Sequence, residues 1–190
     1  MQIPRELEQI DPNEITAENA LSLFYKSHDA HLKLCDVLEG IADSLPDEIR
    51  PDECAYVVRV LEPAVPLHHS LEETVFFPCL LERSHHDPAL VEIVERLSGE
   101  HRTDEGYIAE AIELLRPLAG GNMSVNAEAA GYLLRGLFES WRRHITFETE
   151  LILPRAAQVF TAADRDNLAT GLYAFLTRLR SSPVPAGQLN

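Results

Sequence analysis

Apolar residues recur at helical spacing along nearly the whole chain, and clusters of Gly and Pro separate the periodic stretches. Thr16 is placed to cap a first helix running to about Ser44, with Leu21, Phe24, His28, His31, Leu34, Cys35 and Leu38 along one stripe. Leu45, Pro46 and Asp47 break that pattern. A second helix is expected from near Asp52 to about Glu82, and Pro63 and Pro66 inside it predict a kink or a short break. His85, His86 and Asp87 form a link. Asp87 followed by Pro88 is a cap with a proline at the first helical position, and it starts a third helix that ends near Leu118. Pro117 to Asn122 reads as a loop. A fourth helix begins near Ser124 or Asn126 and reaches at least Leu153, and a shorter fifth runs from Thr161 to near Arg180. Strand signals are nearly absent. Four helices of about 25 to 30 residues on short links predict an all-α, up-down-up-down four-helix bundle. The expected organisation is one domain over residues 1–180, its bundle at about 16–155 and an extra helix at about 161–180, followed by a flexible tail over 181–190.

Composition narrows the partners. The 190 residues carry 16 basic and 31 acidic side chains, a net charge of −15, which disfavours phosphate backbones and anionic lipid. No nucleic acid or membrane partner is therefore expected. The longest stretches without Asp, Glu, Lys or Arg, Pro117–Ala127 and Asn167–Thr177, are 11 residues each, short of the roughly 18 apolar residues of a membrane span. Met1–Asp11 lacks the basic and apolar regions of a signal peptide, which predicts a cytoplasmic protein. Cys35, Cys54 and Cys79 are odd in number and without CxxC spacing, so they read as reduced thiols.

The histidines carry the chemistry. Glu fills 21 of 190 positions, so about one of the eight histidines should have Glu four residues later by chance; four do. They are His68 with Glu72, His69 with Glu73, His101 with Glu105, and His144 with Glu148. Positions i and i+4 share a helix face, so each pair can aim an imidazole and a carboxylate at one place. Helices two, three and four each carry such a pair, and helix one carries His28 and His31 near its middle. In an antiparallel bundle these positions converge on the core. Buried carboxylates need positive charge beside them. Lys33, Arg102, Arg142 and Arg143 fall off the stripe, so a pair of metal ions is the economical answer. Imidazole and carboxylate donors without thiolate suit iron or manganese better than structural zinc, and seven donors are too many for one tetrahedral ion.

Register follows from an internal comparison. His68, Glu72 and Pro78 match His144, Glu148 and Pro154 as H-x3-E-x5-P, each proline preceded by three apolar residues. That places His68 and Glu72 in the donor register and turns His69 and Glu73 toward a neighbouring helix or solvent. On helix one, His31 aligns with the core stripe Leu34, Leu38 and Ile41, which makes it the expected ligand. His28 stands beside it as a neighbour or substitute.

These segments, His31, H-x3-E-x5-P from His68, His101-x3-Glu105 and His144-x3-Glu148 to Pro154, resemble the hemerythrin-like, or HHE cation-binding, domains over about residues 16–155. The resemblance implies a four-helix bundle holding two non-haem iron ions (Fe2+/Fe3+) with an oxo, hydroxo or water bridge; zinc or manganese would fit the same donors. It implies bridging roles for Glu72 and Glu148 and terminal roles for His31, His68, His101 and His144. Glu105 stands where oxygen-carrying hemerythrins have histidine. A carboxylate there favours the ferric state and points away from reversible oxygen carriage, toward binding or sensing of oxygen, nitric oxide or peroxide, or sensing of iron.

Two alternatives stay open at this point: a peroxide-decomposing, catalase-like di-iron enzyme, and a metal-free helical interaction bundle. A ferritin-like carboxylate centre would need two Glu-x-x-His pairs, and only Glu82 with His85 provides one. HExxH, GxSxG, P-loop and GxGxxG motifs are absent. His85 and His86 read as surface residues. Phe24, Phe76, Phe77, Trp141 and Phe147 read as core, Tyr107 as an interior tyrosine, and Cys35 and Cys79 as inert buried thiols. The fifth helix, with Leu168, Leu172, Phe175 and Leu179, caps the bundle or offers a face for a homodimer.

Overall fold

The structure, a computed structural model, describes residues 11–122 and 124–181. Among these residues it is helical throughout, without strands. A short 3-10 turn, Pro12–Glu14, precedes α1 (Ala20–Ser44). The second long rod is α2 (Pro51–Leu71), a π-helical turn (Glu72–Phe76) and α3 (Phe77–Arg83). The third is α4 (Pro88–Ala119). The fourth is α5 (Ala127–Phe147), a second π-helical turn (Glu148–Ile152) and α6 (Leu153–Val159). The last helix is α7 (Ala162–Ser181). The tail expected at 181–190 lies, beyond Ser181, outside the described residues.

Local chemistry explains most of the boundaries. Asp87 Oδ1 accepts from Ala89 N–H at 3.1 Å and Pro88 takes the first helical position of α4. Asn126 Oδ1 accepts from Ala129 N–H at the start of α5. Thr161 and Asp164 cap α7 reciprocally: Thr161 N–H donates to Asp164 Oδ2 at 2.8 Å, and Asp164 N–H donates to Thr161 Oγ1 at 3.3 Å. At the end of α4 the chain turns through Gly121, whose φ of +77° suits a residue without Cβ. Helix one starts later than expected. Asn19 Oδ1 accepts from Thr16 N–H, closing a turn ahead of Ala20.

Pro63 and Pro66 do not interrupt their helix, and α2 continues through both without a break. The N–H groups they lack would have bonded the carbonyls of Arg59 and Glu62, which belong to exposed residues on the outer face of the helix. The interruptions come instead at Glu72 and Glu148. Six residues after each glutamate stands a proline, Pro78 and Pro154, which cannot close the next α-helical turn. Just before it the backbone widens: Phe77 N–H donates to the Glu72 carbonyl, and Leu153 N–H to that of Glu148.

In the bundle α1 packs against α2 and α5, and α4 packs against the same two helices. The core falls into two apolar clusters. The larger includes Leu34, Leu38, Val65, Ile108, Leu115, Leu134 and Trp141. The smaller includes Phe24, Phe76, Phe77, Leu97, Ile152 and Leu153, together with Leu168, Leu172 and Leu176 of α7. Helix α7 lies against α1, α3 and the first π-turn. Gly171 permits its close approach, because a Cβ there would stand 2.7 Å from Val75 Cγ1. No helix among the described residues is long and apolar enough to cross a membrane.

Candidate metal centre

Between the two clusters lies a polar layer buried to a few percent exposure or less. It contains His28, His31, His68, His69, Glu72, His101, His144 and Glu148. Two groups of donor atoms form within it, His28 with His68, Glu72 and Glu148, and His101 with His144, Glu72 and Glu148. The glutamates belong to both. Glu72 Oε1 is 3.4 Å from His28 Nε2 and 3.3 Å from His68 Nε2, while its Oε2 is 3.4 Å from His101 Nε2. Glu148 Oε2 is 3.3 Å from His28 Nε2, while its Oε1 is 3.4 Å from His144 Nε2 and 3.9 Å from His101 Nε2. Each carboxylate thus turns one oxygen to each pair of imidazoles.

The spacing fits cations. Bonds of about 2.1 Å to one ion leave neighbouring nitrogen and oxygen donors roughly 3.0 to 3.5 Å apart. Moreover, His68 Nε2, Glu72 Oε2 and both Glu148 carboxylate oxygens are buried without a hydrogen-bond partner. Such atoms are expensive to bury unless something positive meets them.

The reverse side of every ring in the two groups is tied down. Nδ1 of His28 pairs with Thr149 Oγ1 at 2.7 Å, and Nδ1 of His68 with Ser27 Oγ at 2.9 Å. The Nδ1–H of His101 donates to Glu73 Oε1 at 2.8 Å, and that of His144 to Glu100 Oε2 at 2.9 Å. Holding Nδ1 directs Nε2 inward and fixes the tautomer a metal requires. Ring stacking adds to this: His101 lies flat between His69, 4.0 Å away at 8°, and Phe77, 6.0 Å away at 10°.

Electrostatics agree with the geometry. Burial alone would push His28 and His144 down, but the Glu148 and Glu72 carboxylates beside them outweigh it and raise both to about 9. His101 is raised for the same reason, with Glu72 and Glu73 opposing its burial. Burial would raise Glu148, yet the His144 and His28 imidazoles 3.3 to 3.4 Å away hold it well below the usual carboxylate range. His68 is pushed well down by burial, reinforced by the neighbouring imidazoles. Two protonated imidazoles are what the carboxylates draw up by themselves, and metal ions would compete with those protons.

Of the seven residues expected from the sequence, the structure brings His68, Glu72, His101, His144 and Glu148 together. It places His28, not His31, in the donor group. His31 lies one turn further along α1, buried against Trp141 and His68. Glu105 stands outside both groups. Its side chain is 49% exposed and 3.7 Å from His69 Nδ1, because on α4 the inward place one turn after His101 goes to Asp104. From that place Glu105 gives no ground against reversible oxygen carriage. Tyr107, expected inside, is exposed at 40%. His69 and Glu73 face α4, where both hold His101. Lys33 and Arg142 pair at the surface, with Asp29 and with Asp36 and Glu39.

Sequence reasoning missed Ser27, Glu73, Glu100 and Thr149. A signal existed, since each directly flanks a donor in the chain, but each serves a donor on another element. Ser27 beside His28 holds His68, Thr149 beside Glu148 holds His28, Glu73 beside Glu72 holds His101, and Glu100 beside His101 holds His144.

Comparison with curated proteins and with solved structures gave no match. Comparison with protein families gave the hemerythrin HHE cation binding domain, matched over residues 19–156. That span takes in both donor groups, both π-turns and the first three rods of the bundle, ends within α6 of the fourth, and leaves α7 outside. With a metal-binding site of histidines and glutamates at the centre of a helical bundle, the chain belongs to the hemerythrin HHE cation-binding domain family.

Proposed function

We propose that the protein holds two iron ions, one at each donor group, and uses them to bind or sense a small ligand such as oxygen, nitric oxide or peroxide. One observation carries this reading: two pairs of imidazoles face opposite oxygens of the same two buried carboxylates. A single ion would use one oxygen of each glutamate and leave the other unmatched. His28 and His68 would hold one ion, His101 and His144 the other, and Glu72 and Glu148 would bridge them. When bound, the irons supply paired one-electron redox capacity and a Lewis-acidic position for the ligand.

The chain's own contribution is orientation and exclusion of water. Each group offers four protein donors, fewer than the six an octahedral ion takes, so a bound ion would keep room for a small ligand. The apolar clusters on either side, with Phe24, Phe76 and Phe77 on one and Trp141 on the other, keep bulk water from the layer. They also lower the local dielectric, which strengthens the pull of the carboxylates on the ions.

The test is metal content per chain, by mass spectrometry, on protein made in iron-replete cells, with Glu148→Ala beside the wild type. The reading expects about two irons in the wild type and most of the iron lost from the variant, since one bridge is removed. Unchanged iron in Glu148→Ala would end the bridging assignment.

A further inference from the structure

Four of the buried atoms that lack a hydrogen-bond partner are the donors already described. Four others remain among the described residues: His31 Nε2, His69 Nδ1, Asp104 Oδ2 and Ser84 Oγ. Three of these belong to side chains with a polar group or the protein surface close by. His69 Nδ1 lies 3.7 Å from a carboxylate oxygen of the half-exposed Glu105. Asp104 has its other oxygen 3.5 Å from Ser140 Oγ. Ser84 ends α3 at the exposed link that carries His85 and His86.

His31 has no such relief. It is 2% exposed, its ring lies over Trp141 at 5.2 Å, and it meets His68 edge-on at 4.8 Å. An orphaned polar atom in that position opposes folding, and an apolar side chain of similar size would avoid the penalty. Its position gives it a use. It lies one turn beyond His28 on the same face of α1, in ring contact with His68, so it borders the donor group those two form. Beyond it the larger apolar cluster begins, with Leu34, Val65 and Trp141. A ligand entering the centre on this side would meet apolar walls and one polar atom.

We propose that His31 is the hydrogen-bonding residue for the exogenous ligand, its Nε2–H donating to the small anionic or diatomic ligand taken up beside His28 and His68. This rests on the dinuclear reading above. His31 is then a specificity-determining residue: it favours ligands with an accepting atom over apolar ones of the same size, and it needs no metal bond of its own.

The experiment uses the full chain loaded with iron, and azide as the probe. Iron per chain, azide affinity and the azide stretching frequency in H2O and D2O are measured for the wild type, His31→Leu and His31→Gln. The expected result is equal iron in all three proteins. Azide affinity falls about ten-fold or more in His31→Leu, as loss of a hydrogen bond to a charged group requires. His31→Gln recovers part of that affinity through its amide N–H. A solvent-isotope shift of the stretch is present in the wild type and absent from His31→Leu. Unchanged affinity and a retained shift in His31→Leu would overturn the assignment and leave the dinuclear reading standing. Loss of iron in His31→Leu would make His31 a metal ligand, which also overturns it. Should His31→Leu fail to fold, a wild type without an isotope shift overturns it alone. A wild type that holds no iron removes both readings.

Discussion

Loading the centre with metal should release protons, and the number follows from the site. His28 and His144 are raised to about 9 because the buried carboxylates Glu148 and Glu72 pull protons onto them against their burial. A group with that pKa is about 99% protonated at pH 7, so each carries a proton that a metal ion must displace from Nε2. Two protons per chain are therefore expected when both ions bind at pH 7, and His101, also raised, adds up to a third. The same competition sets the pH dependence. Below about pH 9 the overall association constant for two ions should rise roughly 100-fold per pH unit, one factor of ten for each displaced proton. Above pH 10 both the release and the slope should vanish. Calorimetric titration with Mn2+ in two buffers of different ionisation enthalpy counts the protons directly and avoids oxidation during the measurement. Release of less than one proton at pH 7, or the same release at pH 7 and pH 10, would refute the reasoning. It would mean that the carboxylates do not hold protonated imidazoles in the metal-free protein.

Three further outcomes are expected. Glu73→Ala and Glu100→Ala, which free Nδ1 of His101 and of His144, should each weaken metal binding about 10- to 100-fold in chelator competition while leaving helicity intact. Gly171→Ala should destabilise the protein by about 1–3 kcal/mol in thermal or denaturant melts, although alanine favours helices, because its Cβ meets Val75. A variant as stable as the wild type would remove the close packing of α7 from the account. The melting temperature of the metal-free protein should peak near pH 6.5. The raised His28 and His144 give stability that is full below the ordinary histidine value and is lost as pH climbs toward 9. The lowered His31, His68 and His69, kept neutral by burial, lose stability as pH falls below that value, because the unfolded chain takes up their protons. A flat profile from pH 5 to 9 would contradict this.

Helix count and most helix starts were legible because they rest on local chemistry: Asp87 with Pro88, Asn126, and Thr161 with Asp164 act within one turn. The meeting of His68, Glu72, His144 and Glu148 was legible because a repeated spacing marks them. The choice on α1 was not. His28 and His31 are three residues apart on nearly the same face, and only the distance across to Glu72 and Glu148 separates them. Glu105 misled for a related reason. It shares its spacing with Glu72 and Glu148, but it is not followed six residues on by a proline, and α4 stays regular there. The H-x3-E-x5-P pattern marked which histidines and glutamates come together, while its backbone meaning, a widened turn at Glu72 and at Glu148, became visible only in the fold.

The donors divide evenly between two halves of the chain. Residues 20–83 bring His28, His68 and Glu72; residues 88–159 bring His101, His144 and Glu148. The same order, a histidine and then His-x3-Glu at the mouth of a π-turn, occurs twice, as it would if one helical hairpin had been doubled. Neither hairpin owns a complete ion site. Each brings two imidazoles and one carboxylate, and borrows one oxygen from the other's glutamate. The ions would therefore act as stitches between the hairpins, and their binding would stabilise the closed bundle over one with the hairpins parted.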